Sequence, residues 1–74
     1  MYIKEILGKE VLDVCGNKIG KVYDMEADMV QGVISHVVIK AGLTKRHVIG
    51  VDEIVTIGDK VILKKREDEL AKKS

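Results

Sequence analysis

The stretch Cys15-Gly16-Asn17-Lys18-Ile19-Gly20-Lys21-Val22 admits two readings that lead to different folds: a glycine-rich loop cradling a phosphate, or a turn between two strands. A phosphate loop needs four residues between its glycines, so that successive N–H groups face one cavity, and a Ser or Thr after its lysine for magnesium. Three residues separate Gly16 from Gly20, and Val22 follows Lys21. A phosphate loop also opens a helix, whereas Val22, Tyr23 and the alternating Met and acid positions beyond them follow the two-residue period of a strand. Gly16 and Asn17 are residue types that tolerate positive φ at a hairpin tip. They are therefore expected to join a short strand, Glu10–Val14, to a long one running from Lys18 to about Met29.

The composition supports strands throughout. Twenty of the 74 residues are Val or Ile and none is Pro; β-branched side chains are stiff at χ1 and pack well on a pleated surface. A domain of this size buries only about 60% of the surface its unfolded chain exposes, so its core is small and a partner chain is the expected reinforcement. One cysteine excludes an intramolecular disulfide framework. The first residues lack the charged region and apolar run of a leader, and no stretch reaches the ~18 apolar residues of a membrane span, so a cytoplasmic location without membrane insertion is expected. Thirteen basic against twelve acidic residues give a net charge of +1. That balance, with two tyrosines and no Phe or Trp, lacks both the field and the stacking platform that unpaired nucleic acid requires.

Beyond the first hairpin, strict alternation predicts that Tyr23, Met25, Ala27 and Met29 share a buried face while Asp24, Glu26 and Asp28 face water. Gly32 stands where a hairpin loop of three to five residues wants its left-handed position. The next strand, Val33 to Lys40, is apolar on both sides: Val33, Ser35, Val37 and Ile39 on one, Ile34, His36, Val38 and Lys40 on the other. Such a strand lies between two covered faces or against another subunit. Arg46 to Val51 forms a fourth strand, and Asp52-Glu53-Ile54 a single helical turn capped by Asp52. Val55-Thr56-Ile57 and Val61-Ile62-Leu63 flank a last hairpin at Gly58-Asp59. Short strands at close intervals imply a barrel, whose closure removes exposed edges. In the tail, Asp68/Lys72 and Glu69/Lys73 have the spacing of helical ion pairs, but ten residues are too few to hold a helix alone.

Candidate chemistry is sparse. Asp24-x-Glu26-x-Asp28 has the carboxylate spacing that opens a calcium loop, but Met29 replaces the required glycine and Ser35 the bidentate acid. Local roles fit better: Asp28 accepting N–H groups of the Val30-Gln31-Gly32 turn, Asp24 pairing with a neighbouring lysine or amide. Cys15, His36 and His47 are the soft metal ligands and fall on separate elements. Ser35 and His36 are adjacent in a strand, so alternation points them to opposite faces and denies them a nucleophile–base pairing.

The run Leu7-Gly8-Lys9-Glu10-Val11, then Gly16-Asn17-Lys18-Ile19-Gly20-Lys21-Val22 with Asp24 and Asp28, then Gly32-Val33, and finally Val51-Asp52-Glu53-Ile54 with Ile57-Gly58-Asp59, resembles the PRC-barrel domain in order and spacing. The resemblance covers about Ile3 to Lys65. It implies a compact six-stranded β-barrel that serves as an adaptor, as in the photosynthetic reaction centre, in a ribosome-maturation factor and in stand-alone archaeal proteins. The chain resembles the stand-alone archaeal type, some of whose members are associated with cell division, where the resemblance implies the membrane anchor of the tubulin-like division ring and sister barrels as partners.

The expectation is an all-β chain: a small six-stranded PRC-type β-barrel with one short helical turn over residues 1–65, and a charged C-terminal tail over residues 66–74. Gly16, Asn17, Gly20, Asp24, Asp28 and Gly32 are assigned to turns. The expected function is a non-enzymatic, homodimeric adaptor, cytoplasmic and recruited to the division site, with Ile34, His36 and Val38 at its contact and no catalytic residue, cofactor or metal. The alternative is an RNA-processing or ribosome-maturation-associated binding protein, which requires Lys45, Arg46, Lys64, Lys65 and Arg66 to gather into one patch. A third reading, a metal or redox site at Cys15 with the histidines, requires those side chains to converge.

Overall fold

The computed structural model describes residues 2–65. The tail assigned to residues 66–74, with its Asp68/Lys72 and Glu69/Lys73 pairs, lies outside the described residues. A one-turn helix α1 (Ile3–Ile6) precedes six strands: β1 (Glu10–Leu12), β2 (Lys18–Asp28), β3 (Val33–Ala41), β4 (Lys45–Gly50), β5 (Ile54–Ile57) and β6 (Val61–Leu63). A 3₁₀ turn, Val51–Glu53, joins β4 to β5. The chain is thus all-β, as its composition requires.

The sheet order is β4-β3-β2-β1-β6-β5. Every pairing is antiparallel except β1 with β6, where Val11 lies opposite Val61 and Leu12 opposite Ile62. No ladder joins β4 to β5 among the described residues, so the expected full closure by hydrogen bonds is replaced by the covalent 3₁₀ link between the two end strands. Val11, Ile19, Val22, Val37, Ile39, Ile49, Val61 and Leu63 form one buried cluster. Ile6, Met25, Ile54 and Ile57 pack against it.

The first hairpin turns earlier than expected. β1 ends at Leu12 instead of Val14 because Asp13 closes the loop: its N–H donates to Asn17 O at 2.8 Å, and its carbonyl accepts the Gly16 N–H at 3.0 Å. Gly16 has φ +88°, where an L side chain is strained. Asn17 keeps negative φ and contributes its side chain instead, donating from Nδ2 to Asp13 Oδ2 at 3.2 Å. Asp13 Oδ1 accepts the N–H groups of Cys15 (2.9 Å) and Asn17 (2.7 Å). The loop does gather backbone donors around an anion, and that anion is its own carboxylate.

Gly20 is not a turn residue. It pairs with Val11 inside β2, and a Cβ there would lie 2.3 Å from the carbonyl oxygen of Lys40. Its lack of a side chain serves the close approach of two backbones. Gly32 is a turn residue, at φ +71°, and Asp28 accepts the N–H groups of Val30 (3.0 Å) and Gln31 (3.2 Å) through one oxygen. Asp24 caps its own neighbour, accepting the Met25 N–H at 2.8 Å.

The expected buried face of β2 is broken by a bulge. Val22 lies opposite Ile39 and Asp24 opposite Val38, which leaves Tyr23 as the extra residue. Val22 and Met25 therefore both meet the core, while Tyr23 is 50% exposed and Met29 falls beyond the strand, 86% exposed. In the 3₁₀ turn, Gly50 occupies the cap position and Asp52 lies within the turn, correcting its assignment as the cap.

Candidate functional site

The outer surface of β2, β3 and β4 is best read by rows, because residues directly opposite one another across a ladder share a face. One row holds Lys21, Lys40 and Arg46; the next, Asp24, Val38 and Val48; the third, Glu26, His36 and Gly50. The Tyr23 bulge lies between the first two. The Arg46 guanidinium stands 4.6 Å and the Lys40 ammonium 5.4 Å from the centroid of its ring. Val48 is 57% exposed and Val38 half-buried. The surface thus grades from cations, through apolar side chains, to an acid–histidine pair.

Of the three expected interface residues, the structure keeps His36 and Val38 together and separates Ile34. A second bulge is responsible: Glu26 lies opposite His36 and Ala27 opposite Ile34, so Ser35 is the extra residue. Ile34 turns inward and lines a cavity of about 230 Å³ with Ile3, Ile6, Met25, Val37 and Ile54. The same bulge overturns the separation of Ser35 from His36, whose Oγ and Nδ1 lie 3.1 Å apart. Nδ1 also lies 3.0 Å from Glu26 Oε1, and Ser35 Oγ donates to the Glu26 carbonyl at 3.2 Å. A Ser–His–acid relay needs the acid on one ring nitrogen and the hydroxyl on the other. Here both meet Nδ1, which orders a surface cluster and cannot relay a proton between them.

The remaining candidates lie apart. Cys15 is exposed in the first hairpin loop, His36 is on the outer face, and half-buried His47 lies opposite Ile39. Among the described residues no three His, Cys, Asp or Glu side chains converge on a metal-sized space. Asp24, Glu26 and Asp28 are engaged with the Met25 N–H, with His36 and with the β2–β3 turn respectively.

Among the described residues, the cations required for an RNA patch do not gather. Lys45 and Arg46 open β4, whereas Lys64 donates its N–H to Glu53 O at 2.8 Å and Lys65 Nζ lies 3.2 Å from Glu53 Oε1, beyond the other end of that strand. At ~3.4 Å per residue, β4 alone separates them by about 17 Å. Arg66 lies outside the described residues. Position along the chain hid what register reveals: Arg46 belongs with Lys40 and Lys21.

Glu10 links β1 to its flanks, pairing with Lys18 at 3.2 Å and with Lys60. Hydrogen bonds from Lys60, then from Lys18, hold its carboxyl below the ordinary range. Among the described residues no helix is long and apolar enough to cross a membrane.

No curated protein matches the chain. The family model of the PRC-barrel domain matches residues 1–70. That match spans α1, all six strands and the rows described above, and the chain belongs to the PRC-barrel domain family, whose small β-barrels are non-catalytic binding and scaffold modules.

Proposed function

We propose that this chain is a non-enzymatic adaptor that self-associates through the outer face of β3 and β4. The observation that carries the proposal is the row of Val38 and Val48, apolar side chains left partly exposed between polar rows of the same sheet. A second copy is the occupant that suits it. In a two-fold contact, like meets like at the centre, and valine against valine brings no charge against its equal. The neighbouring charges leave that centre free: Glu26 is held by His36, and Asp24 by the Met25 N–H. A core of eight buried apolar residues also gains from further burial.

As part of the same proposal, the dimer works in the cytoplasm of an archaeal cell as a scaffold at the division site, binding the membrane anchor of the tubulin-like division ring. That role is what the resemblance to the stand-alone archaeal type, some of whose members are associated with cell division, implies.

Sedimentation velocity tests both levels, on the chain alone and mixed with the purified anchor. The expected result is a dimer at micromolar concentration that Val48→Asp and Val38→Asp convert to monomer, and a faster complex with the anchor. A wild-type monomer refutes the self-association. An anchor that sediments independently of a dimeric chain refutes the division role alone.

A further inference from the structure

We infer that the cleft beside Tyr23, bounded by Gly8, Gly20, Lys21, Lys40 and Gly42, binds an oxyanion of the phosphate class. Its volume is about 420 Å³, within the range of small-ligand sites. The inference goes beyond the self-association reading and stands without it, since the cleft opens at the cation row and not at the valine row.

The first ground is an uncompensated arrangement of charge. Lys21, Lys40 and Arg46 lie directly opposite one another on three neighbouring strands, and like charges so placed destabilise a sheet. No ion pair reaches any of the three among the described residues. The nearest acids in register are engaged elsewhere. Glu10, opposite Lys21, is held by Lys18 and Lys60, and Asp24 accepts the Met25 N–H. Tyr23 gathers Lys40 and Arg46 over its ring, which orders the cations and leaves their charge in place.

The second ground is shape. Gly20 brings β2 against the Lys40 carbonyl so closely that any side chain would collide with it. The cleft is therefore edged by backbone at Gly8, Gly20 and Gly42, with Lys18, Lys21 and Lys40 in its wall and Arg46 beside it over the Tyr23 ring. The third ground is stoichiometry. A carboxylate offers one negative charge to this row, whereas a phosphate offers about −1.5 to −2 and three acceptor oxygens. Arg46, its guanidinium 4.6 Å from the Tyr23 ring centroid, carries the N–H groups for bidentate contact, and the lysines act as point charges. The phosphate could be carried by a soluble ligand or by a lipid headgroup, and the chemistry at the cleft is the same.

The test is a ¹⁵N NMR titration of the full chain with inorganic pyrophosphate, beside co-sedimentation with phosphatidylglycerol or phosphatidylcholine vesicles. Saturable shifts are expected at the amides of Gly8, Gly20, Lys21 and Gly42, weakening as salt is raised. Lys40→Ala and Arg46→Ala should each lower the affinity by roughly tenfold or more, with undisturbed signal dispersion elsewhere. Lys64→Ala, at the Glu53 end of the molecule, should leave it unchanged. Co-sedimentation with phosphatidylglycerol alone, lost in Lys40→Ala, identifies a lipid phosphate; pyrophosphate shifts without vesicle binding identify a soluble one. Either supports the site. Absence of saturable shifts at millimolar pyrophosphate together with no vesicle binding overturns it, as does an equal loss in Lys64→Ala. Val38→Ser keeps the two proposals separate, because it weakens the valine contact without adding a charge beside Lys40 and should preserve pyrophosphate affinity.

Discussion

Replacing Asp13 by Ala should be the most damaging single change in the first hairpin. Asp13 is 1% exposed, and among the described residues its carboxylate accepts hydrogen bonds from the N–H groups of Cys15 and Asn17 at 2.9 and 2.7 Å and from Asn17 Nδ2 at 3.2 Å. A hydrogen bond to a charged group contributes about 1.5–3 kcal/mol. The three are not additive, because a loop that loses its carboxylate can open and hydrate the freed donors, so the expected loss is about 3–5 kcal/mol. Against a total of about 5–15 kcal/mol for a small domain, that is a large fraction. At roughly 4–8 °C per kcal/mol, the melting temperature should fall on the order of 12–40 °C. Asp13→Asn provides the calibration. It keeps Oδ1 for both backbone donors but sets an amide N–H₂ against Asn17 Nδ2, and should cost about 1–2 kcal/mol. Urea denaturation followed by far-UV circular dichroism reads both variants. A loss below about 1 kcal/mol for Asp13→Ala, or an Asn variant worse than the Ala variant, would refute the carboxylate's role as the anion of the loop.

Gly20→Ala should cost about 1–3 kcal/mol because the atoms its Cβ meets, at 2.3, 2.9 and 3.1 Å, are backbone atoms of Lys40 and Ala41 that cannot rotate away. Gly58→Ala, with nothing within 4 Å, should stay within about 0.5 kcal/mol, and equal denaturation midpoints for the two variants would sink the close-approach account. Acid should weaken the links between β1 and its flanking lysines. Because Glu10 has a folded-state pKa lowered by Lys60 and Lys18, its contribution is present above the unfolded carboxylate pKa and is lost as pH falls through the lowered folded value. Thermal melts across that acidic window should decline more steeply for wild type than for Glu10→Gln, and parallel declines would contradict the linkage.

Much of the fold was legible because its signals are local. The β-branched richness, the left-handed glycines at Gly16 and Gly32, and the Asp28 turn are each decided within a few residues, and the structure shows φ +88° and +71° at those glycines and both turn N–H groups on Asp28. α1 escaped notice because four residues are too short to display a helical period. Asp13 escaped because a carboxylate in a run of strand-forming residues gives no sign that it will be buried as a loop's hydrogen-bond acceptor. Gly20 is ambiguous in sequence for a related reason: a glycine for turning and a glycine for close approach look the same until the second strand is in place.

The site was less legible because a sheet face is a property of register, and two bulges change the register where the site lies. Alternation assigns Tyr23 to the inside and Ile34 to the outside, beside His36 and Val38; one extra residue in each strand reverses both assignments. The bulge at Tyr23 stations an aromatic ring between the cation and valine rows, and the bulge at Ser35 brings its hydroxyl to His36. The cation row is still further from sequence view, since Lys21, Lys40 and Arg46 come from three different strands and meet only through two ladders. A search for contiguous charge settles on Lys45-Arg46 and Lys64-Lys65-Arg66 and assigns Arg46 to the wrong company. The chemistry of this outer face therefore depends on where each strand gains its extra residue. Deleting either bulge residue should leave the flanking ladder in register, because Val22 and Asp24 already face the consecutive residues Ile39 and Val38, and His36 and Ile34 the consecutive residues Glu26 and Ala27, so each deletion removes only what the bulge adds to the face: the Tyr23 ring or the Ser35 hydroxyl.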